Sequence, residues 1–81
     1  MLPNTPGMIN IGEEIRKELK RQERSVAWFA RQLGIHRTSV YDIFEKSTLD
    51  TGQLLLISKI LSINFFEILA DEYKQIEHKQ L

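Results

Sequence analysis

The residues best equipped for chemistry cluster in one short stretch: His36, Arg37, Thr38, Ser39, Tyr41 and Asp42, with Arg31 and Ser25 before it and Lys46 after it. They offer a guanidinium fork, an ammonium, hydroxyls, a phenol and one carboxylate. That set suits directional hydrogen bonding to an anionic partner better than making or breaking bonds. The two histidines, His36 and His78, lie far apart, and no His/carboxylate cluster has the spacing of a metal site. Cysteine is absent, which excludes disulfides and thiolate metal ligands. Gly12 and Gly34 stand alone and do not form a phosphate-cradling loop. The reading is a non-enzyme with no cofactor, metal or small-molecule ligand.

The chain has 81 residues, enough for one domain near the lower end of what folds unaided. Eleven Lys+Arg balance eleven Asp+Glu, a net charge of zero that speaks against a polyanionic partner until its distribution is considered. Residues 1–41 hold seven basic and four acidic side chains, net +3; residues 42–81 hold four and seven, net −3. The basic half carries Arg16, Lys17, Lys20, Arg21 and Arg24, a positive field around the first helix. No apolar run is long enough to span a membrane and no signal-peptide pattern opens the chain, so a soluble, cytoplasmic protein is expected.

Both prolines, Pro3 and Pro6, fall at the start, so residues 1–9 read as a flexible arm. No alternating β-type run follows, which predicts an all-α domain over 10–69 with a helical extension or tail over 70–81. Asn10 with Glu13 marks the first helix start, and Ile11, Ile15 and Leu19 form its inward stripe to about Glu23. Ser25 caps a second helix, Val26 to Leu33, which Gly34 ends. A third begins near His36 and runs to about Glu45, with Ile35 and Val40 spaced as a hydrophobic staple. Asp50 with Gln53 and Asn64 with Glu67 start the fourth and fifth. Leu69, Tyr73 and Ile76 share a face, so the fifth helix can continue into the tail. The adjacent Phe65 and Phe66 cannot share one face, so one belongs to the core.

Two short helices joined by a tight glycine-containing turn form a helix-turn-helix signature over Ser25 to Phe44. Its demands are a small Ala30 at the crossing, Gly34 in the turn, and Phe29, Leu33, Ile35, Val40 and Ile43 facing the core. Arg37, Thr38, Tyr41 and Asp42 are left outward, flanked by Ser39. Together with the opening Ile11-Gly12-Glu13-Glu14-Ile15-Arg16, the helix Leu54-x-x-Ile57-x-x-x-Leu61 and the close Ile63-Asn64-x-x-Glu67-Ile68-Leu69, this segment resembles the lambda-repressor-like family of phage repressor/Cro and XRE-type regulators. The resemblance covers roughly Ile11 to Leu69. It implies a compact five-helix domain whose third helix reads the major groove of double-stranded DNA, usually as a homodimer on a palindromic site, in transcriptional regulation. DNA contacts would then fall to Ser25, Arg31, His36, Arg37, Thr38, Ser39, Tyr41, Asp42 and Lys46. Phe65 and Phe66 together with Leu55, Leu56 and Ile60 give the C-terminal half more apolar surface than one small core needs, which points to a dimer through the fifth helix and tail.

Three departures from the family pattern matter. Val26 stands where Gln commonly anchors the DNA backbone. Leu19 and Phe44 replace a frequent Arg–Glu pair, which predicts that they pack together. Asp42 puts an acid on the reading face, either accepting from cytosine N4 or pairing with Arg37 or a nearby Lys. Trp28 reads as half-buried packing or as a partner-facing aromatic. The rival reading of the whole chain is an antitoxin-like or adaptor interaction module that keeps this fold with weak or no DNA reading.

Overall fold

The computed structural model describes residues 9–80, and over these the chain is all-helical, with five helices and no strand. They are α1 (Ile11–Arg21), α2 (Val26–Leu33), α3 (Arg37–Phe44), α4 (Thr51–Leu61) and α5 (Phe65–Gln80). Of the expected arm over residues 1–9, residues 1–8 lie outside the described residues. No single helix among the described residues is long and apolar enough to cross a membrane.

The starts follow from side-chain capping. Asn10, Ser25 and Asp50 each accept a hydrogen bond from the amide three residues on, at 3.1, 2.9 and 2.7 Å. Asn64 accepts from the amide two residues on, that of Phe66, at 3.0 Å. His36 precedes α3 without a side-chain cap bond. Glu13 does not reach back to complete a capping box; its carboxylate binds Arg16 instead.

Three helix ends share one geometry. After α2, Gly34 adopts φ 72° and the amide of Ile35 returns to the carbonyl of Ala30 at 3.0 Å. After α1, Glu23 takes φ 58° while Arg24 bonds the carbonyl of Leu19; after α4, Ser62 takes φ 56° while Ile63 bonds that of Ser58. These are left-handed caps of the Schellman type, and only one uses the residue without a Cβ. α1 therefore ends at Arg21, two residues before the expected Glu23, with the left-handed turn occupying that position. Glu23→Gly and Ser62→Gly are each expected to raise stability by about 0.5 kcal/mol, because relief of the left-handed penalty outweighs the added freedom of the unfolded chain. Urea unfolding followed by circular dichroism measures it; a fall in the midpoint would show that the side chains matter more than the dihedral.

The core joins Ile11, Ile15 and Leu19 of α1, Phe29 and Ala30 of α2, Val40 and Ile43 of α3, Leu54, Ile57 and Leu61 of α4, and Phe65 of α5. α3 packs against both α1 and α2. Phe65 is buried and Phe66 only half so, as adjacent positions require. Leu19 is buried and Phe44 packs against the same cluster. Ile35 departs from expectation: it is 36% exposed rather than core-facing. Its amide is turned back onto Ala30, which carries the residue around the outside of the corner.

α1 meets the end of α3 backbone to backbone. The amides of Ile11 and Gly12 donate to the carbonyls of Ser47 (3.1 Å) and Lys46 (2.8 Å). The positive N-terminal end of one helix thus satisfies carbonyls just past the negative end of the other. This approach requires Gly12: a Cβ there would overlap the carbonyl oxygens of Ile43, of Phe44 at 2.5 Å and of Lys46 at 2.6 Å.

Candidate nucleic-acid interface

α3 sorts its residues by side. Val40 and Ile43 are buried, while Arg37, Thr38, Tyr41 and Asp42 are exposed and Ser39 is half-buried. The exposed four stand at spacings of one, three and one residues, which places them along one flank of an α-helix. Arg31 near the end of α2, His36 at the turn and Lys46 after α3 are exposed as well. Among the described residues none of Arg31, Arg37, Lys46 and Asp42 forms an ion pair, so the pairing considered for Asp42 with Arg37 or a nearby Lys is not made. The Tyr41 ring meets Phe44 edge to face, with centroids 5.9 Å apart and planes at 87°. This contact steadies a side chain that is 54% exposed. Ser25 accepts the Trp28 amide at its hydroxyl oxygen and keeps its own proton to donate.

The positive field expected around α1 is weaker than the residue count suggests. Arg16 pairs with Glu13, Lys17 with Glu14 and Arg21 with Glu18, each at a spacing of three along the helix. Arg24 lies over the Trp28 ring at 4.3 Å. Trp28 itself is half-buried and packs against the core, as its packing reading requires. Of the five basic residues there, Lys20 and Arg24 are the ones without a carboxylate partner among the described residues.

Glu18 has a second task. The Arg21 guanidinium hydrogen-bonds its carboxylate and Gln22 adds a bond at 2.7 Å, and together they hold its pKa below the ordinary 4.5. Gln22 also donates to the carbonyl of Leu61 at 2.8 Å, joining the end of α1 to the end of α4. A carboxyl lowered on folding adds stability that is fully present above its unfolded pKa and is lost as pH falls through the folded value. Stability is therefore expected to fall on acidification below 4.5, and Glu18→Gln to flatten that slope. Urea midpoints across the acid range measure it; an unchanged slope would remove Glu18 from the account.

Two residues important to this surface were not singled out as such from sequence. Gly12 sets how closely α1 approaches the end of α3, and Gln22 ties α1 to α4. A glycine in the first turn of an otherwise strong amphipathic helix is the signal that marks the first of them. Nothing local marks Gln22, whose acceptor lies in another helix. No group of carboxylates and histidines among the described residues is arranged to hold a metal.

Compared with known proteins, the chain matches no family model, no curated protein and no solved structure.

Proposed function

We propose that this chain is a small sequence-specific DNA-binding regulator in which α2 and α3 form a helix-turn-helix of the lambda-repressor-like kind. The observation that carries this reading is the outward flank of α3: polar, exposed, free of internal ion pairs among the described residues, and backed by a buried Val40 and Ile43. In this reading α3 lies in the major groove. Arg37 donates its fork to guanine O6 and N7. Thr38, Ser39, Ser25 and Lys46 hold phosphates, with Arg31 and His36 beside them, and Tyr41 lies against the groove wall. Phosphate contacts fix the register, whereas Arg37 carries base discrimination. Asp42 restricts the sequences accepted, since a carboxylate there is repelled by nearby phosphates unless it accepts from cytosine N4.

Two copies are proposed to pair through α5 and the tail. The half-buried Phe66 and the exposed Leu55 line a shallow open groove where α4 meets α5, and Leu56 is 47% exposed nearby. A two-fold dimer would set its α3 helices about 34 Å apart, one turn of DNA, on a palindromic site. Selection of bound sequences from a random DNA pool, followed by a salt titration, tests both statements. The expected result is an enriched palindrome with half-sites about 10 bp apart, and an affinity that falls steeply with salt as several phosphates are neutralised. No enrichment and no binding at low salt would instead favour an interaction module. Asp42, without an ion pair among the described residues, and the self-neutralised charges of α1 are the observations on the side of that second reading.

A further inference from the structure

Arg24 is fixed at both ends. Its amide donates to the Leu19 carbonyl at 3.0 Å in the left-handed turn at Glu23. Its guanidinium lies over the Trp28 ring, 4.3 Å from the centroid. Trp28 in turn packs against the core, so the platform is itself held. Arg24 is nonetheless exposed and makes no ion pair among the described residues, not even with the adjoining Glu23. Stacking uses the flat face of a guanidinium and leaves the N–H donors along its edge open. Two residues that the DNA reading places at the backbone adjoin this pair. Ser25 is next in the chain, and Arg31 follows Trp28 by three positions, on the same side of α2.

We propose that Arg24 is a further contact to DNA, its guanidinium edge donating to a backbone phosphate beside Ser25, with Trp28 as its positioning residue. The assignment rests on the DNA reading and deepens it, extending the backbone contact from α3 to the corner between α1 and α2. The distribution of charge supports it. Arg16, Lys17 and Arg21 are occupied by glutamates, whereas the two left over, Lys20 and Arg24, both stand where α1 ends and α2 begins. The net positive charge of this region is therefore gathered at the corner rather than spread around α1. A planar fork matches two oxygens of a phosphate. A chain of phosphates engages Arg24, Ser25 and Arg31 together, where a single anion engages one of them. Stacking on Trp28 restricts the arginine before binding, so less freedom is lost when the phosphate arrives.

The test is a salt titration of the full chain with a mixed-sequence DNA duplex of about 20 bp, read by anisotropy of labelled DNA and by Trp28 emission. Trp28 is the only tryptophan, so its emission reports this corner. DNA is expected to change that emission saturably, and polyglutamate of equal charge to leave it unchanged. Arg24→Ala is expected to weaken duplex binding about tenfold and to lower the salt slope by about 1, alike for all sequences. Lys17→Ala removes the same unit of charge from a residue paired with Glu14, and is expected to change the slope much less. Arg24→Lys keeps the charge and should keep the slope, but it lacks the fork and the stacking and should recover only part of the affinity. An Arg24→Ala slope equal to that of Lys17→Ala or of the wild type, with DNA still bound, would overturn the proposal and leave the DNA reading standing. Wild-type affinity in Arg24→Lys would overturn it by removing the role of Trp28. The same Trp28 response to polyglutamate would assign the corner to an acidic peptide, and would also overturn it. No wild-type binding at low salt would overturn the DNA reading itself, and this contact with it.

Discussion

Gly12→Ala is expected to cost about 3 kcal/mol, near the upper end of what overpacking a tight contact does. The added methyl would sit against three carbonyl oxygens, those of Ile43, Phe44 and Lys46. These are backbone atoms at the end of a helix, so no side chain can swing aside. Either α1 or α3 must move, and with it go the amide bonds from Ile11 to Ser47 and from Gly12 to Lys46. For a domain of this size the melting temperature should fall by roughly 15 °C. Gly52→Ala provides the contrast within the same chain. Gly52 lies in the first turn of α4, and a Cβ there meets the Asp50 carboxylate at an ordinary 3.5 Å. That substitution is expected to stabilise by about 0.5 kcal/mol through helix propensity and a less flexible unfolded chain. Thermal melts of both variants decide the matter: equal effects of the same sign would mean that the close approach at Gly12 is unimportant.

Arg37→Ala should lower affinity for the selected DNA site about tenfold to a hundredfold, the range that follows from losing one bidentate base contact. The loss should be specific, with preference relaxing at one base pair in each half-site and binding to scrambled DNA little changed. Arg37 is exposed at the first position of α3 and has no carboxylate partner among the described residues. Its removal therefore leaves no internal group unpaired, and circular dichroism should show an intact fold. Lys46→Ala provides the comparison. A phosphate contact would weaken binding to all sequences alike and reduce the salt slope by about 1. If Arg37→Ala also weakened selected and scrambled DNA equally, Arg37 would be a backbone contact. If it changed neither, α3 would not be the reading element.

The local features of the fold could be read from sequence because they are local. Ser25, Asp50 and Asn64 bind amides within three residues of themselves, and Gly34 ends α2 by its own dihedral. The stripe of Ile11, Ile15 and Leu19 needed only helical periodicity. Ile35 was misassigned because the hydrophobic pattern treats it as another inward residue, whereas the turn's hydrogen bond to Ala30 decides where it points. The charge around α1 was overcounted for a similar reason. A tally of basic residues does not register that Glu13, Glu14 and Glu18 each lie three positions before a basic one and neutralise it. At the candidate interface, periodicity sufficed to turn Arg37, Thr38, Tyr41 and Asp42 outward. The absence of ion pairs at Asp42, Arg31 and Lys46 among the described residues required tertiary structure, because any partner would have come from elements whose relative placement the sequence does not specify.

The junction of α1 with the end of α3 divides the first turn of α1 into two kinds of amide. Those of Glu13 and Glu14 are held by Asn10, their close neighbour in sequence. Those of Ile11 and Gly12 are held by Ser47 and Lys46, far along the chain. In solvent deuterium the first pair would open whenever the helix end frays. The second pair would open only when α1 separates from α3, an event closer to global unfolding. Two consecutive pairs of amides would thus record two different motions, and their exchange rates would separate fraying of a helix end from undocking of the helix as a whole.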